Sequence, residues 1–282
     1  MKIKYYGTSA GAGIPEIFCS CRVCEQARRE GGKNVRTRSQ AVIDGVLGID
    51  YPVDTFLHTI YGGLDMRTLK TVLITHAHYD HFLPADILSR AVGMTEPIKF
   101  CFSEQSGRNF CNSLKARAEA FRTGKSICNH NEVLVETAFL EPYREAVLSG
   151  YRVIPLKARH GGEIGALNYV IQKDGKSILW AHDTGKLYPE VLEFLKESGI
   201  RFDFVSLDCT LKRGEQITPN HMDLDWCIET AEALRNNRNA DEKTVFMLSH
   251  IGHLVERTHE ELSEEAAAYG MTVAYDGMTV EI

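Results

Sequence analysis

Five short apolar runs in this chain all stop at residues that bind metals. "TVLI" (71–74) runs into "THAHYDH", "YRVIPLKA" (151–158) into Arg159-His160, "SILWA" (177–181) into His182-Asp183, and "TVFML" (244–248) into Ser249-His250. The fifth, "FDFVSL" (202–207), stops at Asp208-Cys209. Runs of about four to eight residues rich in Val, Ile and Leu have the length and composition of buried strands. Helical patterns separate them, at 84–92, 186–197, 223–236 and 256–268. Strands that all end in His or Asp place their loops on one rim, where the ligands converge. The pattern therefore predicts two sheets faced by helices, with a site along one edge. Upstream, "KIKYYG" (2–7) reads as a first strand and "RVCEQARREGG" (22–32) as a helix stopped by Gly31-Gly32. "SQAVIDGVLGID" (39–50) reads as a hairpin turning at Asp44-Gly45. With no repeat, low-complexity stretch or linker, one domain over 1–282 is expected.

Bulk properties narrow the function classes. The chain has 282 residues and is 44% hydrophobic, ample for a large core. No run approaches the roughly eighteen apolar residues of a membrane span, and no secretory h-region follows Met1, so a cytoplasmic protein is expected. Eight cysteines in such a setting read as metal ligands or buried thiols rather than disulfides. The net charge of −6, without a basic block, argues against a dedicated nucleic-acid surface.

"THAHYDH" (75–81) places His76, His78, Asp80 and His81 directly after a strand. His76 and His78 can bind one ion from a tight loop, while Asp80 and His81 turn toward a second. Imidazole and carboxylate donors suit Zn, Mn or Fe. This segment supplies about half of a two-metal centre, and His160, Asp183 and His250 would complete it. A carboxylate such as Asp183 is suited to bridge two cations about 3.5–4 Å apart. The competing reading is a polar surface turn, which the three further strand-end ligands disfavour. Other histidines have plainer assignments. His58 and His259, in helix-like segments, are expected to face solvent, and His182 to orient a ligand rather than bind metal. His130 lies in a polar stretch with no partner of clear spacing. Arg36 and Arg38 are expected as solvated surface, with phosphate contact the alternative. Cys101, Cys111, Cys209 and Cys227 fall in apolar or amphipathic segments and read as core thiols.

"THAHYDH" with His160, Asp183 and His250 resembles the metallo-β-lactamase superfamily, which implies an α/β fold, an αββα sandwich of two mixed sheets flanked by helices. "GTSAGAGIPEIFCSCRVCEQARR", "LDC", "PNHMDL" and "LSHIGH" resemble, more closely, the phosphodiesterases of the bacterial carbon–phosphorus lyase pathway. The resemblance runs from Gly7 to the C-terminal "YDGMTVEI" and is weakest at 100–150, where Cys111, Cys128 and His130 lack counterparts. It implies that His76, His78 and His160 hold one metal, that Asp80, His81 and His250 hold the other, and that Asp183 is shared. It also implies that His221, in "PNHMDL", is the general acid, and Asp80 is counted with it as catalytic. The plainer role for that stretch is a helix start, with Asn220 and Asp223 available as caps. "YPVDTFLH" (51–58) departs from the Gly-containing turn expected there and so leaves substrate preference open.

Cys19, Cys21 and Cys24 form three-quarters of a zinc site within "FCSCRVCE" (18–25). "SHIGH" (249–253) carries a second histidine three residues after His250. If His250 faces the two-metal centre, His253 can face the knuckle, completing a closed Cys₃His structural zinc site. The alternative is a redox cluster or three free thiols.

These readings favour a hydrolase of small or cyclic phosphodiesters, such as ribose cyclic phosphates or nucleotide diesters. In it a hydroxide generated on the metals attacks phosphorus and His221 protonates the leaving oxygen. A transfer-RNA 3′-processing nuclease, lactonase or thioesterase on the same scaffold is the nearest rival. A non-catalytic metal or redox sensor is the rival of another class. A homodimer is expected from the resemblance alone.

Overall fold

A computed structural model of the chain describes residues 1–89, 96–124 and 134–282. Cys128 and His130 lie outside the described residues, as does the end of the helix expected at 84–92.

The strands are β1 (Lys2–Gly7), β2 (Gln40–Ile43), β3 (Leu47–Ile49), β4 (Thr71–Leu73), β5 (Ile98–Phe102), β6 (Val135–Phe139), β7 (Ala146–Leu148), β8 (Tyr151–Lys157), β9 (Leu167–Lys173), β10 (Lys176–Ala181), β11 (Phe204–Asp208), β12 (Val245–Ser249), β13 (Met271–Val273) and β14 (Thr279–Glu281). The helices are α1 (Arg22–Glu30), α2 (Thr55–Ile60), α3 (Ala85–Ser89), α4 (Glu104–Arg122), α5 (Pro189–Ser198), α6 (Leu224–Asn236) and α7 (His259–Ala267).

The strands form two mixed seven-stranded sheets, ordered β14-β1-β2-β3-β4-β5-β6 and β13-β12-β11-β10-β9-β8-β7. Both sheets follow one plan, in which the first is antiparallel from β14 to β3 and parallel from β3 to β6. The second is antiparallel from β7 to β10 and parallel from β10 to β13. Parallel strands need crossovers of a dozen or so residues, and those crossovers supply the helices that cover the outer faces.

Side chains alternate along each strand, and both faces of β10 are apolar. Ile178 and Trp180 point between the sheets with Ile3, Tyr5, Ile43 and Leu73, while Leu179 and Ala181 meet Val191, Leu195 and Ala231 of the helices. Helices α3 and α4 cover the other sheet through Ile87 and Phe110, against Val72, Ile74, Phe100 and Phe102. The layers are therefore helix, sheet, sheet, helix, the αββα sandwich predicted from the sequence. Where Ser206 breaks the apolar interior, Tyr5 Oη lies 2.7 Å from its hydroxyl, so the buried polar atoms are paired.

Two sequence expectations are corrected by burial. His58 and His259 are not solvent-facing but 3% and 8% exposed. His58 Nδ1 lies 2.6 Å from Gln40 Oε1, and His259 Nδ1 lies 3.0 Å from Arg36. Arg36 is equally hidden, donating to Thr8 Oγ1 and the Ala274 carbonyl, and Arg38 is paired with Asp54 at 3.1 Å. Cys101, Cys209 and Cys227 are buried as expected, while Cys111 is only half-buried.

Candidate metal centre

The ligands converge because consecutive loops leave the same rim of the two sheets. Asp50 follows β3, the His76–His81 loop follows β4, His160 follows β8, Asp183 follows β10, Asp208 ends β11, and His250 follows β12. Asp50, Asp183 and His250 have φ of +65°, +51° and +54°. The left-handed region is uncommon for residues other than glycine, and Asp and His are among those that tolerate it. Each of these residues turns its chain sharply at the strand exit and so aims its side chain along the rim.

Two donor sets result, each with its ligand atoms within 4.8 Å of one another: His76, His78, His160 and Asp183, and Asp80, His81, Asp183 and His250. Asp183 belongs to both. Its Oδ2 lies 3.1 Å from His76 Nε2 and 3.0 Å from His81 Nε2, and its Oδ1 lies 2.9 Å from His160 Nδ1. The structure thus brings together all seven residues that the sequence singled out for this centre.

Three features fit these sets to divalent cations. Imidazole nitrogens face one another at 2.9 Å (His76 Nε2 to His78 Nδ1) and 3.2 Å (His78 to His160, and His81 to His250). Ring nitrogens this close aim at a shared point, where a cation could take lone pairs from each. Asp183 Oδ1 is buried without a hydrogen-bond partner despite its near neighbours, as an oxygen shaped for coordination would be. Burial also pushes His76 down to about 3, so that it is neutral and ready to ligate, while desolvation of Asp183 is outweighed by the surrounding histidines, which hold it well below the usual carboxylate range.

Outer contacts orient the donors. Asp50 Oδ2 lies 2.7 Å from His81 Nδ1 and its Oδ1 accepts from Thr75 N at 2.8 Å. Asp208 does the same on the other side. Its Oδ2 lies 3.1 Å from His250 Nδ1 and 3.0 Å from His221 Nδ1, and its Oδ1 accepts from Thr210 and the Met222 amide. Such partners fix tautomer and ring orientation. The sequence reading placed Asp50 and Asp208 at strand ends but assigned them no task, although Asp at a strand exit was the available signal. His182 lies in none of these donor sets and, contrary to the expectation that it orients a ligand, is fully buried between Ser39 and Ser206.

His221 sits beside the centre and outside both sets. Its ring stacks on His250, with centroids 5.6 Å apart, and its Nδ1 is also 3.2 Å from Asp183 Oδ1. Burial disfavours its cation, but Asp208 and Asp183 outweigh that and raise it to about 9. Asp223, not Asn220, caps α6, accepting from Trp226 N. His221 therefore precedes the helix and is free of capping duty. A third donor set, Asp183, Asp208, His221 and His250, is also within 4.8 Å and shares two members with the others.

At the knuckle, Cys19, Cys21, Cys24 and His253 gather within the same limit. His253 Nδ1 lies 3.4 Å from Cys19 Sγ and 3.6 Å from Cys21 Sγ. Burial opposes ionisation of the Cys21 thiol, yet hydrogen bonds led by the Cys24 backbone and His253 bring it down to about 6. A tetrad of three thiols and one imidazole fits closed zinc coordination.

Residues 17–251 match the family described as the beta-lactamase superfamily domain, and the chain belongs to that family. Solved structures with the same fold include a diphosphatase of the PhnP family, at 22% identity and a TM-score of 0.71, covering 100% of this chain and 97% of that one. Zinc-bound PqqB from Methylobacterium extorquens superposes with a TM-score of 0.72 at 18% identity over the full length of both. The human short-form tRNase Z gives 0.65 at 16%, covering 100% and 99%. An octanoyltransferase of Porphyromonas gingivalis is 28% identical over 255 residues, 89% of this chain. The chain spans 46% of that relative's length. No helix among the described residues is long and apolar enough to cross a membrane.

Proposed function

We propose that the chain is a two-metal hydrolase of small phosphodiesters. His76, His78 and His160 would hold one cation, Asp80, His81 and His250 the other, with Asp183 between them. Two such cations lower the pKa of bound water and neutralise charge on phosphoryl oxygens. The observation that carries the reading is His221, a half-buried imidazole beside the centre that neither four-residue set needs. Asp208 engages its Nδ1, so Nε2 is left to carry a proton to a leaving group. A phosphodiester expels an alkoxide, a poor leaving group that benefits from such a donor, whereas a thioester expels a thiolate that does not. Asp208 meanwhile keeps the His221 and His250 rings in fixed orientation, and the PhnP-family and tRNase Z folds agree with phosphoester chemistry. The octanoyltransferase relative supports acyl esters or thioesters as the second reading.

The two readings separate by leaving group. His221→Ala should lower kcat on an alkyl phosphodiester by about 10²–10⁴-fold, the usual worth of a general acid, and leave a p-nitrophenyl diester nearly unaffected. Equal losses on both substrates would remove His221 from the acid role.

A further inference from the structure

The knuckle and the metal centre share more than the short 250–253 segment. Residues 8–11 run between them. Ser9 bridges to Ile251 on one side and Arg38 on the other, Ile251 N donates to the Thr8 carbonyl at 2.8 Å, and Ala10 N donates to the Ile251 carbonyl at 3.1 Å. This strip fixes the backbone next to His250, whose left-handed φ of +54° needs such support. Three residues after His250, His253 enters the thiol cluster. At its other end the strip presses on Asp80. A Cβ on Gly11 would lie 3.0 Å from Asp80 Oδ2, and Tyr79, which immediately precedes Asp80, donates its hydroxyl to the Gly11 carbonyl at 2.8 Å. Arg38 Nε donates to the same carbonyl at 3.1 Å. The knuckle side thus bears on Asp80 and His250, two members of one donor set. The His76/His78/His160 set does not touch this strip: Asn220 O lies 3.4 Å from His160 Nδ1, and Thr75 Oγ1 lies 3.2 Å from His76 Nδ1 and equally from His81 Nδ1.

We propose that the Cys19-Cys21-Cys24-His253 clasp positions Asp80 and His250 through residues 8–11, so that an occupied knuckle tightens the Asp80/His81/His250 metal site and leaves the His76/His78/His160 site nearly unchanged. This rests on the two-metal reading above. Coupling of this kind is reciprocal, and interactions that orient ligands are commonly worth tenfold or more in metal affinity.

The test uses the full chain with zinc in the knuckle, titrated with Mn²⁺ and followed by equilibrium dialysis and by the EPR signature of a spin-coupled manganese pair. Wild type should take up two Mn²⁺ and give the coupled signal. Cys19→Ser, and independently Gly11→Ala and Tyr79→Phe, which leave the knuckle intact, should bind the first Mn²⁺ as wild type does. The second should bind about tenfold more weakly, with the coupled signal lost at matched Mn²⁺. If Cys19→Ser does not fold, His253→Asn takes its place as the knuckle variant, and Gly11→Ala and Tyr79→Phe test the strip between. Unchanged binding of both ions in Gly11→Ala and Tyr79→Phe would overturn the coupling and leave the two-metal reading standing, as would equal weakening of both. Wild type that binds no Mn²⁺ beyond the knuckle would overturn the two-metal reading itself.

Discussion

At the residue scale, the side chains of the two donor sets are easier to read from sequence than those that hold them in place. Residue types that ligate metals are few, and the histidines and aspartates of the two donor sets follow apolar runs at a recognisable offset. A supporting residue needs only to reach its partner in space. Asp50 and Asp208 lie 31 and 42 positions from the histidines they orient, His81 and His250. His58 was misplaced for a related reason. Its helix α2 is short, and Thr55 and His58 are the two positions on it that turn inward. The buried ring is held by Gln40 and Thr37, and burial lowers its pKa to about 4. A histidine so depressed is neutral when folded and charged when unfolded between about pH 4 and its ordinary value near 6.5. Its stabilising contribution is complete above about pH 6.5 and is lost as the pH falls toward 4, in total about 3 kcal/mol. Urea unfolding at pH 7.5 and pH 4.5 should show that loss, and His58→Gln should remove most of the difference. A pH dependence identical to wild type in the variant would contradict this assignment.

At the element scale, β4, β8, β10, β11 and β12 were legible as apolar runs, as were α1, α5, α6 and α7, whose apolar faces recur at helical spacing. Helix α4 is not visible in the sequence pattern, and neither are strands β5, β6, β7, β9, β13 and β14. Helix α4 has Gly107 inside its first two turns, a residue that argues against a helix in sequence terms. Its reason is tertiary: a Cβ there would meet the Phe102 ring at 2.0 Å, so the helix can approach β5 only without one. A similar close approach shapes the site. Gly185 follows Asp183 by two residues, and its Cβ would fall 1.9 Å from the Pro219 carbonyl oxygen, which is backbone and cannot rotate aside. Gly185 N also donates to the Arg159 carbonyl, so this one residue joins the loops of His160, Asp183 and His221. Gly185→Ala should therefore cost about 1–3 kcal/mol of stability and lower kcat at saturating metal, because the His221 loop is pushed off the centre. Full activity with unchanged thermal stability would show that the loop contact does not set the site.

At the scale of the whole molecule, two sheets of the same plan meet so that their strand exits share one rim. That arrangement lets a sequence with its ligands spread from 76 to 250 assemble one centre. The fold class was visible in the order of the apolar runs and in the resemblance that "THAHYDH" carries. Which helices cover which sheet was not, because the crossovers between parallel strands are set by tertiary packing rather than by local pattern. Beta-lactamase superfamily membership establishes the scaffold, and the chemistry rests on what the rim holds. The most direct measurement is turnover of a phosphodiester, its monoester and a thioester by the manganese- or zinc-loaded protein, alongside Asp183→Ala. The two-metal phosphodiesterase reading predicts diester hydrolysis well above the other two substrates, abolished in Asp183→Ala. Inertness toward the diester with turnover of the thioester, or diester hydrolysis that survives Asp183→Ala, would contradict it.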